Sequence, residues 1–256
     1  MKKRIAIIAL VIAITVALLS LSACDNPKEH LDRGDAYLKQ SQWDNAIAEY
    51  SNAIKFAPKQ ATSYYKRGLA YSSKGQYETA ITDFTKAIEL APTMVEAYSD
   101  RAMAYGNTGQ LPLALADLDT ALKINPRFAT AYNNRGAAYI GMKQYDLAIA
   151  DLTSAIALDP DNPQGYINRG WAYFNVQYYE SALNDLNYAI KIAPTIARAY
   201  CNRGWVHYTK YNYDLALADF QKTLELTSDP ILRKAAEMGI EGSKAAQQSG
   251  KPPENK

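Results

Sequence analysis

The sequence predicts an all-α protein of six stacked helix-turn-helix repeats closed by one further helix. Two observations predict it. The stretch 129–162 matches the chain again when shifted by 34 residues in either direction. Its Tyr132-Asn133-Asn134-Arg135-Gly136 returns downstream as Tyr166-Ile167-Asn168-Arg169-Gly170 and Tyr200-Cys201-Asn202-Arg203-Gly204. Upstream it returns as Tyr98-Ser99-Asp100-Arg101-Ala102 and Tyr64-Tyr65-Lys66-Arg67-Gly68. A fixed period of this length marks a stacked-repeat architecture, in which one short template sets the core and the working surface. The second observation is the spacing of apolar residues by three and four, as in Ala148, Leu152 and Ala155, which is helical.

In chain order, residues 1–23 read as a secretory signal outside the fold. Lys2, Lys3 and Arg4 form a positive start, Ile5 to Leu19 is apolar apart from Thr15, and Leu21-Ser22-Ala23-Cys24 closes the segment. That ending resembles the lipobox of bacterial lipoproteins, which implies cleavage before Cys24 and lipidation of Cys24 on sulfur and on the new amine. An uncleaved membrane helix is the alternative, since the apolar run approaches the ~20 residues that span a bilayer. Both readings put residues 25–256 outside the cytoplasm and tethered to a membrane, with residues 24–26 as a short tether. The expected location is the bacterial cell envelope, on the outer face of the cytoplasmic membrane or in the periplasm. Asp25 resembles the inner-membrane retention signal of enterobacterial lipoproteins.

Removing the three basic residues of the signal from the total of 28 leaves 25 against 26 acidic residues, a net of −1. This balance carries no nucleic-acid footprint. With Cys24 taken by lipid, Cys201 is the one remaining cysteine, so stability must come from packing and not from a disulfide.

Six repeats follow at 27–60, 61–94, 95–128, 129–162, 163–196 and 197–230. Numbered 1 to 34 within each, position 8 is small (Gly34, Gly68, Ala102, Gly136, Gly170, Gly204) and position 20 is always Ala. Position 24 is large (Tyr50, Phe84, Leu118, Leu152, Leu186, Phe220). Small residues let two helices approach, and the large one fills the space beside them. Pro58, Pro92, Pro126, Pro160 and Pro194 at position 32 break one helix and suit the start of the next. Asp44, Glu78, Asp146, Glu180 and Asp214 suit the positive start of the second helix, and Pro112 marks the same place in repeat three. Residues 231–246 read as a capping helix whose Ile231, Leu232 and Ala235 cover repeat six. Residues 247–256 read as a mobile tail.

This template resembles the tetratricopeptide repeat over residues 27–230. The resemblance implies a right-handed solenoid. It departs in having Tyr at position 4 and Arg at position 7. The Tyr substitution accounts for part of the excess of 20 Tyr over 5 Phe and 3 Trp.

Arg67, Arg101, Arg135, Arg169 and Arg203, with Arg33, stand 16 residues before Asp83, Asp117, Asp151, Asp185 and Asp219, with Glu49. A hairpin turning near position 15 sets each Arg level with an acid. Two readings stand, an anion-binding ladder or a row of structural ion pairs, and the local acid for every Arg favours the second. His30 and His207 fall where other repeats have Tyr and read as packing rings. No metal-ligand spacing, phosphate loop or activated nucleophile stands in the sequence. No catalytic residue and no cofactor is expected, and the protein reads as a non-enzyme.

In the family, first-helix positions 2, 5, 9, 12 and 13 line the concave groove. Carried over, the first half is small and polar, with Tyr65 its aromatic. The second half collects Trp171, Phe174, Trp205 and Tyr208, the residue types that dominate interaction sites. Asn134, Asn168 and Asn202 add an amide row suited to the backbone of an extended peptide. The competing reading is that the capping helix covers Trp205 and Tyr208. The resemblance implies a membrane-anchored scaffold that binds a protein or peptide segment in its groove. The alternative is an envelope assembly factor that self-associates without a groove ligand.

Overall fold

The computed structural model describes residues 26–249. The expected signal segment, the lipidation site Cys24, Asp25 and tail residues 250–256 lie outside the described residues. Among the described residues there are thirteen α-helices and no strand. They fall into two compact units that divide between Gln110 and Leu111, inside the third expected repeat.

The first unit holds α1 (Pro27–Lys39), α2 (Trp43–Phe56), α3 (Ala61–Ser73), α4 (Tyr77–Leu90) and α5 (Val95–Asn107). The second holds α6 (Leu111–Ile124), α7 (Ala129–Gly141), α8 (Tyr145–Leu158), α9 (Pro163–Asn175), α10 (Tyr179–Ile192), α11 (Ala197–Thr209), α12 (Tyr213–Leu226) and α13 (Pro230–Ser249). Within each unit consecutive helices pack as hairpins. The first helices of successive hairpins also touch, as α3 does α5, α7 does α9 and α9 does α11, with no comparable contact between second helices. First helices therefore form the tighter side of each unit.

Local chemistry sets the helix ends. Asn26 and Asn162 accept hydrogen bonds from Lys28 N and Gln164 N, each 3.0 Å, ahead of Pro27 and Pro163 in the first helical position. This is a favoured N-terminal arrangement. Every hairpin turns at position 15 with a left-handed backbone: Ser41, Gly75, Gly109, Lys143, Gln177 and Tyr211 have φ between 57° and 77°. Only Gly75 and Gly109 take this conformation without a Cβ penalty. The position-32 prolines do not start the next helix as expected. Pro58 stands between the end of α2 and the start of α3 at Ala61, in the linking turn. There its carbonyl accepts from Tyr64 Oη at 3.2 Å, as Pro194 O does from Tyr200 Oη at 3.1 Å.

The core is built from one contact repeated in every complete hairpin. Tyr50, Phe84, Leu152, Leu186 and Phe220 are fully buried. Each lies against the small residue opposite. A Cβ on Gly34 would fall 2.4 Å from Tyr50 Cε1, and one on Gly204 would fall 2.7 Å from Phe220 Cε1. Gly68, Gly136 and Gly170 meet Phe84, Leu152 and Leu186 in the same way. The alanines at position 20 are buried in both units.

α13 closes the second unit through Leu232, Ala235, Ala236 and Ile240, which join the Phe220 cluster. Gly239 lies against the Phe220 ring. Arg233 Nη1 donates to the carbonyls of Leu224 (2.9 Å) and Thr227 (3.1 Å), at the open C-terminus of α12. Two expectations are corrected here. Ile231 is 81 % exposed, because the packed face runs through 232, 236, 239 and 243, one position away. The helix also extends to Ser249, so residues 247–249 belong to it and not to a tail.

Gly204→Val is expected to destabilise the protein by about 1–3 kcal/mol, the usual cost of overpacking. Urea unfolding checks it: the midpoint should fall with the slope unchanged.

Candidate functional site

The arginine row is committed within the chain. Arg67 donates from Nε to Asp83 Oδ2 at 2.7 Å and from Nη2 to Asp83 Oδ1 at 2.8 Å. Arg135 with Asp151, Arg169 with Asp185 and Arg203 with Asp219 repeat this fork at 2.7–2.9 Å. Arg33 makes one bond to Glu49 at 3.2 Å. His30 Nδ1 lies 2.6 Å from the same Oε2, and its ring stacks on Phe56. Arg101 lies in the first unit and Asp117, buried, in the second.

The structure adds a third donor contact that the sequence reading missed. Nη1 reaches the residue 16 positions upstream, in the second helix of the preceding hairpin: Arg67 to Ser51 Oγ, Arg101 to Thr85 Oγ1, Arg135 to Asp119 Oδ1, Arg169 to Thr153 Oγ1, Arg203 to Asn187 Oδ1, all at 2.6–3.1 Å. The signal was present, since all five are polar at one template position. The position-4 tyrosines lie against these guanidiniums, with ring centroids 5.6–5.9 Å from the Arg carbon. Hydrogen bonding to Asp raises the pKa of Arg67, Arg135, Arg169 and Arg203, partly opposed by burial. With a forked carboxylate and a second acceptor on each, these arginines serve hairpin and stack geometry.

The first unit's inner face is a polar network. Asp35 accepts from Tyr50 Oη at 2.7 Å and from Lys66 Nζ at 2.5 Å. Tyr65, expected in the groove, donates its hydroxyl to Asp100 Oδ2 at 2.7 Å. Burial raises the Asp100 pKa, opposed by the Tyr65 hydrogen bond and reinforced by Glu96. Tyr65 is thereby fixed as part of the wall.

The second unit divides the expected aromatic set. Trp205 meets Tyr208 and Phe220 edge-on at 5.6 and 5.2 Å. Trp205 and Tyr208 belong to the cluster that α13 closes, and Gly242 of α13 lies against the Tyr208 ring. Trp171 stacks on Phe174 at 5.1 Å, with 25° between planes, and both remain half-buried. Phe174 roots the pair in the Ala182–Leu186–Val206 cluster. Cys201, in the Phe220 cluster, is buried, and burial pushes its thiol up to about 11.

The amide row is also differentiated. Asn168 Nδ2 donates to Asn133 Oδ1 at 3.1 Å, and Asn133 reaches towards Asn134 at 3.5 Å. The amide of Asn202 has no hydrogen-bond partner among the described residues. In its repeat register the residue matching Asn133 is Ile167, which offers no acceptor.

Family models described as TPR repeat match residues 34–75 and 107–143, and models described as tetratricopeptide repeat match 61–94, 129–162 and 167–230. No curated protein matches the sequence. Among solved structures, the chain is similar to the APC/C hetero-tetramer Cut9-Hcn1, with TM-score 0.78 and 18 % identity. That match covers 86 % of this chain and 43 % of the other, so this chain spans less than half of that relative. A tetratricopeptide repeat protein from Parabacteroides merdae ATCC 43184 gives TM-score 0.71 and 20 % identity, with 84 % of each chain covered. YrrB, a TPR protein with an unusual peptide-binding site, gives TM-score 0.52 and 22 % identity over 74 % of this chain and 97 % of its own. At these identities the likeness is one of fold.

Arg169→Lys is expected to cost about 1.5–3 kcal/mol, because a point charge cannot replace a fork and a third bond; thermal unfolding checks it. For Asp100 the folded pKa lies above the unfolded one. Its contribution is therefore most favourable at low pH and is lost as pH rises from the ordinary Asp range through the raised value. Asp100→Asn should remove that decline, as read from stability measured across pH 4 to 8.

Proposed function

The chain belongs to the tetratricopeptide-repeat family, whose members are protein–protein interaction scaffolds, and from that premise we propose that it holds an extended segment of a partner protein on the first helices of its second unit. The observation that carries this reading is the Trp171–Phe174 stack, half-exposed and braced from below. A rigid aromatic pair gives apolar contact at small entropy cost, which is what an interaction hot spot requires. Asn202 supplies a free amide, able both to donate to and accept from the backbone of an extended chain. Asn168, already bonded to Asn133, keeps the wall in place. Trp205 and Tyr208 support the site through the cluster closed by α13.

The segment ending in Cys24 supports a lipid anchor, which would place the scaffold at the outer face of the cytoplasmic membrane or in the periplasm. Among the described residues no helix is long and apolar enough to cross a membrane. Two acyl chains hold a protein stably on a bilayer where one does not. Cytoplasmic nucleic acid is not the partner on this reading; an envelope protein is.

The test is capture from envelope extract on the immobilised protein, beside Trp171→Ala and Asn202→Ala. A bound protein should be held at least about tenfold less well by each variant, with helix content unchanged by circular dichroism. Equal capture by all three would overturn the groove reading, and a concentration-dependent mass with no captured protein would favour self-association. Separately, Cys24→Ser is expected to move the protein from the membrane fraction to the soluble fraction.

A further inference from the structure

The hairpin turns carry a second register of charge. In each unit the acid in the first turn of a second helix lies level with the residue 30 positions later, just past the end of the next first helix. Lys74 Nζ stands 2.5 Å from Asp44 Oδ1, and Lys210 pairs with Glu180. At the end of the second unit α13 supplies the donor, with Gln247 Nε2 2.7 Å from Asp214 Oδ1.

Two acids in this register lack such a donor. Opposite Glu78 stands Thr108, whose hydroxyl turns back to the carbonyls of Ala104 and Tyr105. Opposite Asp146 stands Val176, and here the edge is open. A cavity of about 330 Å³ is lined by Lys143, Gln144, Tyr145, Asp146, Leu147 and Val176. Asp146 is exposed and has no ion pair or hydrogen-bond partner among the described residues. Leu147 is 51 % exposed.

We propose that this cavity, between the α7–α8 turn and Val176, is a second docking site that takes a lysine side chain of a partner protein. The open position is complementary to the same ligand that fills the chain's own equivalent sites. A lysine from outside puts its ammonium where Lys74 and Lys210 put theirs, on the carboxylate of the second helix. Its alkyl stem lies on Val176 and Leu147, as lysine stems do on apolar surface. A carboxylate is repelled by Asp146, and an uncharged apolar side chain leaves that charge uncompensated. Lys143 at the rim disfavours a second base, so the fitting segment carries a single lysine and not a basic run. The site lies on the turn edge and is independent of the Trp171 groove.

The test uses the full chain in detergent, titrated with N-acetyl-lysine N-methylamide and followed by amide chemical shifts. N-acetyl-norleucine N-methylamide is the uncharged control. Saturable shifts confined to residues 143–147 and 176 are expected with the lysine probe and absent with the control. Asp146→Asn should weaken them at least tenfold. Val176→Lys should abolish them while keeping or raising the melting temperature, because the new ammonium fills the site from within. Trp171→Ala should leave them intact. Equal shifts with both probes, no saturable shift with lysine, or unchanged binding to Asp146→Asn would each overturn the proposal.

Discussion

The structure depends on how closely the two helices of each hairpin can approach. A glycine on one helix receives the ring or branched end of a large residue on the other, at a distance where any Cβ would collide. This contact is dry and repeated, so the hairpin has one packed arrangement and not a family of them. The arginine fork then sets rotation and stacking. Its planar donors match a carboxylate across the hairpin, and its remaining arm reaches back to the preceding one. Tyrosine rings cover the guanidinium, so an ion pair that would otherwise be screened by water is partly shielded.

The arginine fork recurs at Arg67, Arg135, Arg169 and Arg203, and the proposed sites lie where the repeats differ. Tyr65 and Lys66 in the first unit are tied into carboxylate networks, whereas Asn202 in the second has Ile167 at the register position where Asn168 has its acceptor Asn133. Trp171 stacks on Phe174 within α9, whereas Trp205 belongs to the Phe220 cluster that α13 joins. On the turn edge, replacement of a lysine by Val176 turns a filled ion-pair position into a cavity. In each case the chemistry follows from one substitution in a register that is otherwise satisfied internally.

Much of the fold was legible because it is periodic. The 16-residue offset from Arg169 to Asp185 could be read as an ion pair, and the same offset backwards would have shown Thr153 as its third partner. Other features were not legible. The exposure of Ile231 turns on a rotation of α13 that apolar composition does not distinguish from its neighbour. The prolines at position 32 read as helix starts, since sequence shows only that they cannot continue a helix; the structure puts them in the linker, where the carbonyls of Pro58 and Pro194 accept from tyrosine.

The sequence by itself determined the helix-turn-helix repeat, its period, the small-and-large core pairing and the arginine–acid register, because each is a local rule repeated at fixed spacing. Tertiary structure decided which of the four second-half aromatics join the cluster packed by α13 and which stack on each other in α9. It also decided which amides and acids are consumed by neighbours one repeat away. Those outcomes depend on the distance and angle between hairpins and on the docking of α13, quantities that no residue carries alone.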